Sequence, residues 1–154
     1  MNDDEFLAGF EACTLARSEW THEAHVRMAW LYLTRYPLSE ALKRVRSGIQ
    51  QLNDTFSKAE TVQEQSRPPC GHQPKQSGGY HDTITVAFVR LIAARLRDDD
   101  TFLAFRDRNP DLFDHTLTAL LRHYTKKRLH SAKAKRTFIE PDLRKLPVLN
   151  DEVW

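Results

Sequence analysis

The stretch Thr21–Tyr36 reads THEAHVRMAWLYLTRY, and its periodicity decides the fold class of the chain. Steps of four, three and four residues place one stripe of side chains on the same face of a helix. That stripe consists of His22, Val26, Ala29 and Leu33. Thr21 belongs to the residue types that cap helix N-termini, and Pro37 stops the helix. The stretch therefore predicts a helix that buries one face against neighbouring helices.

Similar patterns along the rest of the chain predict further helices and no strand of useful length. These helices are expected to begin at Asp3 or Asp4, to span 38–56 and 80–96, to begin again at Asp100 or Thr101, and to span 111–125. A chain of 154 residues is long enough for one core and short for two domains. We expect an all-α fold, a single-domain helical bundle of about five to six helices over residues 1–154.

Two segments depart from helical periodicity. Residues 57–79 are rich in Gln, Pro, Gly and Ser and have no apolar periodicity. That composition is typical of an exposed, flexible loop, and we expect no regular secondary structure there. Residues 137–154 are irregular but contain apolar side chains such as Phe138 and Leu146. We expect this segment to form an irregular C-terminal strap that packs onto the bundle.

The composition limits the class of protein. A hydrophobic fraction of 40% and a charged fraction of 29% are ordinary for a soluble globular protein. A formal net charge of +2 is too small to indicate a polyanionic partner by itself. Cys13 and Cys70 are too few for a disulfide framework, and no charged leader or membrane-length apolar run is present. We therefore expect a cytoplasmic protein without a membrane partner, while the sequence indicates no oligomeric state.

Three histidines are the strongest candidates for chemistry. His22 and His25 lie three residues apart near the start of the second helix, so one ion can contact both. His81 opens the fourth helix, where it shares a stripe with Thr85, Phe88 and Ile92. Three protein nitrogens around an open position are the arrangement of catalytic zinc, and they also suit iron or copper. The pattern therefore predicts a divalent metal ion (zinc, iron or copper) held by His22, His25 and His81.

Other polar side chains complete this hypothesis. Glu11 near the end of the first helix, Tyr80 and Tyr124 would supply or accept protons beside the metal. His115 projects away from the apolar face of its helix, so we expect it to be exposed. Two helix N-termini beside one cavity would favour an anionic ligand. The first hypothesis is a small metal-dependent enzyme that acts on a small, anionic organic substrate by hydrolytic, eliminative or oxidative chemistry.

Three other interpretations stay open. The histidines are core residues that pack and form hydrogen bonds, or one of them is the general base of a metal-free enzyme. A third interpretation is a non-catalytic binding module that holds an anionic partner with the basic stretch 122–136, which contains no acidic residue. That stretch has a single aromatic side chain, Tyr124, which argues against nucleic acid as the partner.

Three segments of the chain resemble a family of small, mostly bacterial, all-helical proteins with WTHxxH and GYHxT motifs and no established activity. They are Trp20-Thr21-His22-x-x-His25, Gly79-Tyr80-His81-x-Thr83, and Leu129-x-Ser131 followed by Phe138-x-x-Pro141-Asp142-Leu143. The resemblance covers most of the chain except 57–79. This chain departs from the family pattern with Lys135 after Ala134, and with Lys145 in place of a proline. The resemblance implies that each motif acts as a unit, and it implies no particular reaction.

Overall fold

The structure is a computed structural model that describes residues 2–65, 80–98 and 100–147, without the side chains of 60–65. Within these residues the chain forms eight α-helices, two short 3-10 turns and no strand, which confirms the all-α prediction. The helices are α1 (Asp3–Glu11), α2 (His22–Arg35), α3 (Leu38–Gln65), α4 (Asp82–Ala94), α5 (Phe102–Arg108), α6 (Thr118–Leu121), α7 (Lys126–Leu129) and α8 (Ala132–Arg136). The 3-10 turns are Arg17–Glu19 and Pro110–Phe113.

Helix α2 lies at the centre of the bundle and packs against both α3 and α4. The Thr21 hydroxyl accepts a hydrogen bond from the Ala24 N–H at 3.2 Å, so this residue is the predicted N-cap. The helix ends at Arg35, and Tyr36 and Pro37 turn the chain into α3, because the residue before a proline is held out of the helical conformation. The periodic stripe of the sequence is the buried face of this helix.

Helix α1 is capped one residue earlier than predicted. The Asn2 side chain accepts a hydrogen bond from the Glu5 N–H at 2.8 Å, and the Glu5 carboxylate accepts one from the Asn2 N–H at 3.2 Å. This reciprocal capping box satisfies two free N–H groups, so the predicted caps Asp3 and Asp4 lie inside the helix. Further along α1, the Phe10 ring lies against Gly48 of α3, where a Cβ atom would overlap the ring.

Helix α3 is longer than predicted. It continues through Gln65, so the prediction of no regular secondary structure was wrong for residues 57–65, and the rest of the predicted loop, 66–79, lies outside the described residues. The segment 57–65 reads SKAETVQEQ, which has no glycine or proline and is rich in strong helix formers. A helix that already exists propagates into such a segment without a buried face. None of the described helices, α3 included, is both long and apolar enough to cross a membrane.

The predicted sixth helix, 111–125, is broken in its middle. Leu117 has φ 59° and ψ 36°, in the left-handed region, and α6 begins only after it. The Asp114 carboxylate accepts hydrogen bonds from the Thr116 N–H at 2.9 Å and the Thr118 hydroxyl at 2.5 Å. This local turn competes with helical hydrogen bonding. The short helices α7 and α8 in the basic stretch raise the number of described α-helices to eight, above the five or six that the sequence predicts.

Residues 137–147 form an irregular strap, as predicted, and residues 148–154 lie outside the described part of the chain. Hydrogen bonds from side chains of the bundle to backbone groups of the strap hold it in place. The Thr83 hydroxyl donates to the Thr137 carbonyl at 3.0 Å and accepts from the Ile139 N–H at 3.1 Å. The buried Tyr124 hydroxyl donates to the Ile139 carbonyl at 2.7 Å. These bonds fix the strap against the start of α4 and the end of the α6 region.

Candidate functional site

An apolar cavity of about 240 Å³ lies among α2, α3 and α4. It is lined by His22, His25, Val26, Met28, Ala29, Val45, Ile49, Ile84, Thr85, Phe88, Val89, Ile92 and Leu117. Among these described lining residues, His22, His25 and Thr85 have polar side chains. A dry cavity of roughly 150 Å³ in another protein accommodates benzene, so this one has room for a small organic group.

His25 is held in a defined orientation at this cavity. Its Nδ1 lies 2.7 Å from the Thr21 carbonyl oxygen, and because a carbonyl only accepts, Nδ1 carries the proton and Nε2 the lone pair. The Trp20 ring stacks on the imidazole, with ring centroids 3.8 Å apart and planes inclined by 30°. Burial lowers the pKa of His25; the Thr21 carbonyl opposes this shift, and His22 adds to it. His25 is therefore a neutral imidazole at pH 7, with one unprotonated nitrogen.

His22 uses its other ring nitrogen for such a bond. Its Nε2 lies 2.8 Å from the Leu112 carbonyl oxygen and donates to it, so in a neutral ring the lone pair lies on Nδ1. The ring meets Phe88 edge-on at 5.5 Å and lies 5.6 Å from the ring of His115. His115 is exposed, as predicted, but apolar periodicity did not predict its position beside His22. The turn at Asp114 brings it there, and an aspartate two residues before a threonine was the available signal.

His81 does not join the other two histidines. Its Nδ1 accepts a hydrogen bond from the Ile84 N–H at 3.1 Å, and its Nε2 donates to the Leu129 carbonyl at 2.8 Å. The residue is the N-cap of α4, with extended backbone angles of φ −131° and ψ 110°. The prediction treated His81 as the first residue of a helical stripe, whereas a cap residue turns its side chain back onto the helix N-terminus. His81 is absent from the cavity lining, and both of its nitrogens are used within the protein.

Without His81, the described side chains do not form the predicted three-histidine metal site. Without His81, only His22 and His25 of the three predicted ligands lie at the cavity, and catalytic zinc takes three protein ligands. Across residues 2–65, 80–98 and 100–147, no group of three or more His, Cys, Asp or Glu side chains is arranged to hold a metal ion. The described residues therefore do not supply the donor set on which the metal hypothesis depends.

The three predicted proton-transfer residues lie away from the cavity. Glu11 is exposed, and its carboxylate accepts from the Tyr32 hydroxyl at 2.8 Å. The Tyr80 hydroxyl donates to Asp82 at 2.6 Å, and burial together with this carboxylate raises the pKa of Tyr80. Burial and the nearby charge of an acidic side chain raise the pKa of Tyr124 to about 12. None of the three lines the cavity, and the side-chain oxygen of each is engaged in a hydrogen bond within the protein.

The basic stretch 122–136 forms a separate surface around α7 and α8. Arg122 pairs with Asp111 at 3.2 Å, and the Arg128 Nε donates to the Glu140 carbonyl at 2.7 Å. The exposed cations of this stretch are Arg122, Lys126, Lys127, Lys133, Lys135 and Arg136. None of them lines the cavity, so the two features that the sequence singled out are distinct places on the molecule.

Comparison of the chain with known proteins does not identify its chemistry. No family model, curated protein or solved structure matches this chain. The most specific feature of the site is the cavity with its two histidines, whose rings donate from different nitrogens.

Proposed function

We propose that this protein is a small-molecule enzyme in which His25 is a general base and the apolar part of the substrate lies in the cavity. The observation that carries the proposal is the His25 imidazole at the cavity, neutral and with its protonated nitrogen fixed on the Thr21 carbonyl. A general base needs an unprotonated nitrogen within roughly 2.6–3.2 Å of the proton that it removes. Nε2 of His25 is unprotonated and belongs to a ring that lines the cavity, so a substrate bound there can bring a proton within reach of it.

The surroundings of His25 support this role. A pKa below the ordinary histidine value keeps the base unprotonated at neutral pH. When Nε2 takes a proton, the resulting imidazolium keeps its Nδ1–H bond to the Thr21 carbonyl, which stabilises the positive charge. Stacking on Trp20 restricts rotation of the ring, so the lone pair keeps its direction during proton transfer.

His22 narrows the class of substrate. Its ring also lines the cavity and is fixed by the Leu112 carbonyl, and in the neutral form its Nδ1 accepts a hydrogen bond. Two acceptors beside an otherwise apolar lining suit a molecule with a small alkyl or aryl part and a polar end. The hydrogen-bond donor at that end is a hydroxyl or amide of the substrate, or a water molecule that is activated there. We therefore infer a neutral, donor-bearing substrate, in place of the anionic one that the sequence favours.

Hydrolysis of p-nitrophenyl butyrate tests the base, because its acyl chain is small enough for the cavity and its product is coloured. His25→Asn is the matched variant: asparagine keeps an N–H near the Nδ1 position for Thr21 and removes Nε2. We expect this variant to lose about 100-fold in rate, the lower range for loss of a general base. The wild-type rate should fall on the acid side with a midpoint below pH 6.5, because burial lowers the pKa of His25.

His130→Asn is the control, since His130 is exposed and lies outside the cavity. It should hydrolyse the ester as the wild type does. Equal rates for His25→Asn and the wild type would show that surface imidazoles account for the reaction, and would refute the base assignment. So would an acid limb with its midpoint above pH 6.5.

A further inference from the structure

A second depression lies on another side of α3, at the start of α4 and the end of α8. It is an open groove of about 500 Å³, within the roughly 300–1,000 Å³ typical of small-molecule sites. Its lining consists of Ser39, Leu42, Lys43, Arg46, Ser47, Gln50, Tyr80, Asp82 and Arg136. The groove and the histidine cavity share none of their lining residues.

The charge of the groove is positive. Three cations, Lys43, Arg46 and Arg136, face one carboxylate, Asp82, so the charges add to +2. Lys43 and Arg136 are exposed, and their side chains form no hydrogen bond or ion pair with the described part of the chain. Two cations are therefore available to a ligand without first giving up a partner among those residues.

Asp82 orients the third cation. One carboxylate oxygen accepts from the Tyr80 hydroxyl at 2.6 Å and the Arg46 Nε at 3.0 Å. The other accepts from the Arg46 Nη2 at 3.1 Å and the Phe138 N–H at 2.9 Å. This carboxylate is buried, and all four of these bonds hold it in place. Asp82 thereby fixes the Arg46 guanidinium through Nε and Nη2, and Nη1 is left to donate to a ligand. A guanidinium that is already fixed loses little entropy on binding.

We propose that this groove is a second binding site, which holds the phosphoryl group of a small phosphorylated molecule. A phosphomonoester carries about −1.5 to −2 charges at pH 7, which balances the charge of the groove. Arginine forks suit phosphate oxygens, and the Ser39 hydroxyl and the Gln50 amide add neutral donors along α3. A nucleic-acid strand needs stacking surfaces along its path, and among the described lining residues Tyr80 is the single aromatic one.

Calorimetric titration with inorganic pyrophosphate at low ionic strength tests the site. The double variant Lys43→Gln/Arg136→Gln removes the two exposed cations, and we expect it to weaken pyrophosphate binding about tenfold or more, the effect of losing charge-assisted hydrogen bonds. Lys133→Gln is the control. Lys133 is an exposed cation of α8, the helix that also contains Arg136, but Lys133 does not line the groove. It should change the affinity by less than about twofold.

A short single-stranded oligonucleotide provides the other arm of the test. We expect it to bind more weakly than pyrophosphate, and the side-chain amide resonance of Gln50 to shift only with pyrophosphate. The proposal is overturned if the double variant binds pyrophosphate like the wild type. It is equally overturned if the oligonucleotide binds more tightly than pyrophosphate and Lys133→Gln weakens oligonucleotide binding as much as the double variant does. The ligand would then be a polyanion that binds the whole basic surface.

Discussion

Replacing His81 by asparagine separates a structural role from a metal-binding one. Asparagine is among the best N-caps, so the bond to the Ile84 N–H survives the change. Its side chain is too short to reach the Leu129 carbonyl, which His81 holds at 2.8 Å and which belongs to a fully buried residue. Leaving a buried carbonyl without its partner costs about 1–3 kcal/mol, which is the loss of stability that we expect for His81→Asn.

Alanine at the same position removes the cap as well. The cap contributes about 1 kcal/mol, so His81→Ala should be less stable than His81→Asn by roughly that amount. Urea unfolding followed by circular dichroism at pH 7.5 measures both differences, and metal analysis of the same samples adds the second readout. A His81→Asn protein that is as stable as the wild type would refute this account of His81. So would loss of a bound metal that the wild type retains.

The pH dependence of the same comparison gives an independent check. Burial lowers the pKa of His81, and the positive charge of Lys135 acts in the same direction. The folded state therefore binds this proton less readily than the unfolded chain. The stability contributed by neutral His81 is complete above pH 6.5, the ordinary histidine value, and is lost as the pH falls through the lower folded pKa. The stability difference between wild type and His81→Asn should shrink between pH 7.5 and pH 5, whereas a constant difference would contradict the shift.

Two further predictions concern backbone positions. Gly48→Ala should lower the free energy of unfolding by about 1–3 kcal/mol, because its Cβ overlaps the Phe10 ring. In Gly9→Ala the Cβ would lie 3.1 Å from the movable end of the Leu15 side chain, so this variant should change the free energy of unfolding by less than about 1 kcal/mol. Cys13 has φ 58° just after α1, where glycine is preferred, so Cys13→Gly should be more stable than Cys13→Ala by about 1 kcal/mol. Urea unfolding measures both pairs, and an inverted order in either pair contradicts its steric explanation.

Helices with an apolar stripe were predictable from the sequence, including the short α5 with its Thr101 cap, whereas α7 and α8 were not. Helix α2 has its predicted cap and end because Thr21, Pro37 and the stripe between them agree. The extension of α3 to Gln65 lies in a sequence without apolar periodicity, and helix propensity is the signal that could have predicted it. The break at Leu117 is set by the side chain of Asp114, and apolar periodicity continued through it without interruption. Periodicity reports which face is buried, and it does not report local competition for backbone hydrogen bonds.

The same distinction between local and tertiary causes applies to the three histidines. His22 and His25 belong to one helix, so their shared face follows from helix geometry whatever the remainder of the fold does. The position of His81 depends on a carbonyl of Leu129, a residue 48 positions later in the chain. A backbone carbonyl carries no sequence signature, because every residue has one. Histidine is a good partner for such groups, since its two nitrogens satisfy one donor and one acceptor at the same time. An inward-facing histidine at a helix start therefore indicates that a polar group needs a partner, and the tertiary fold decides whether that partner is a ligand or the protein itself.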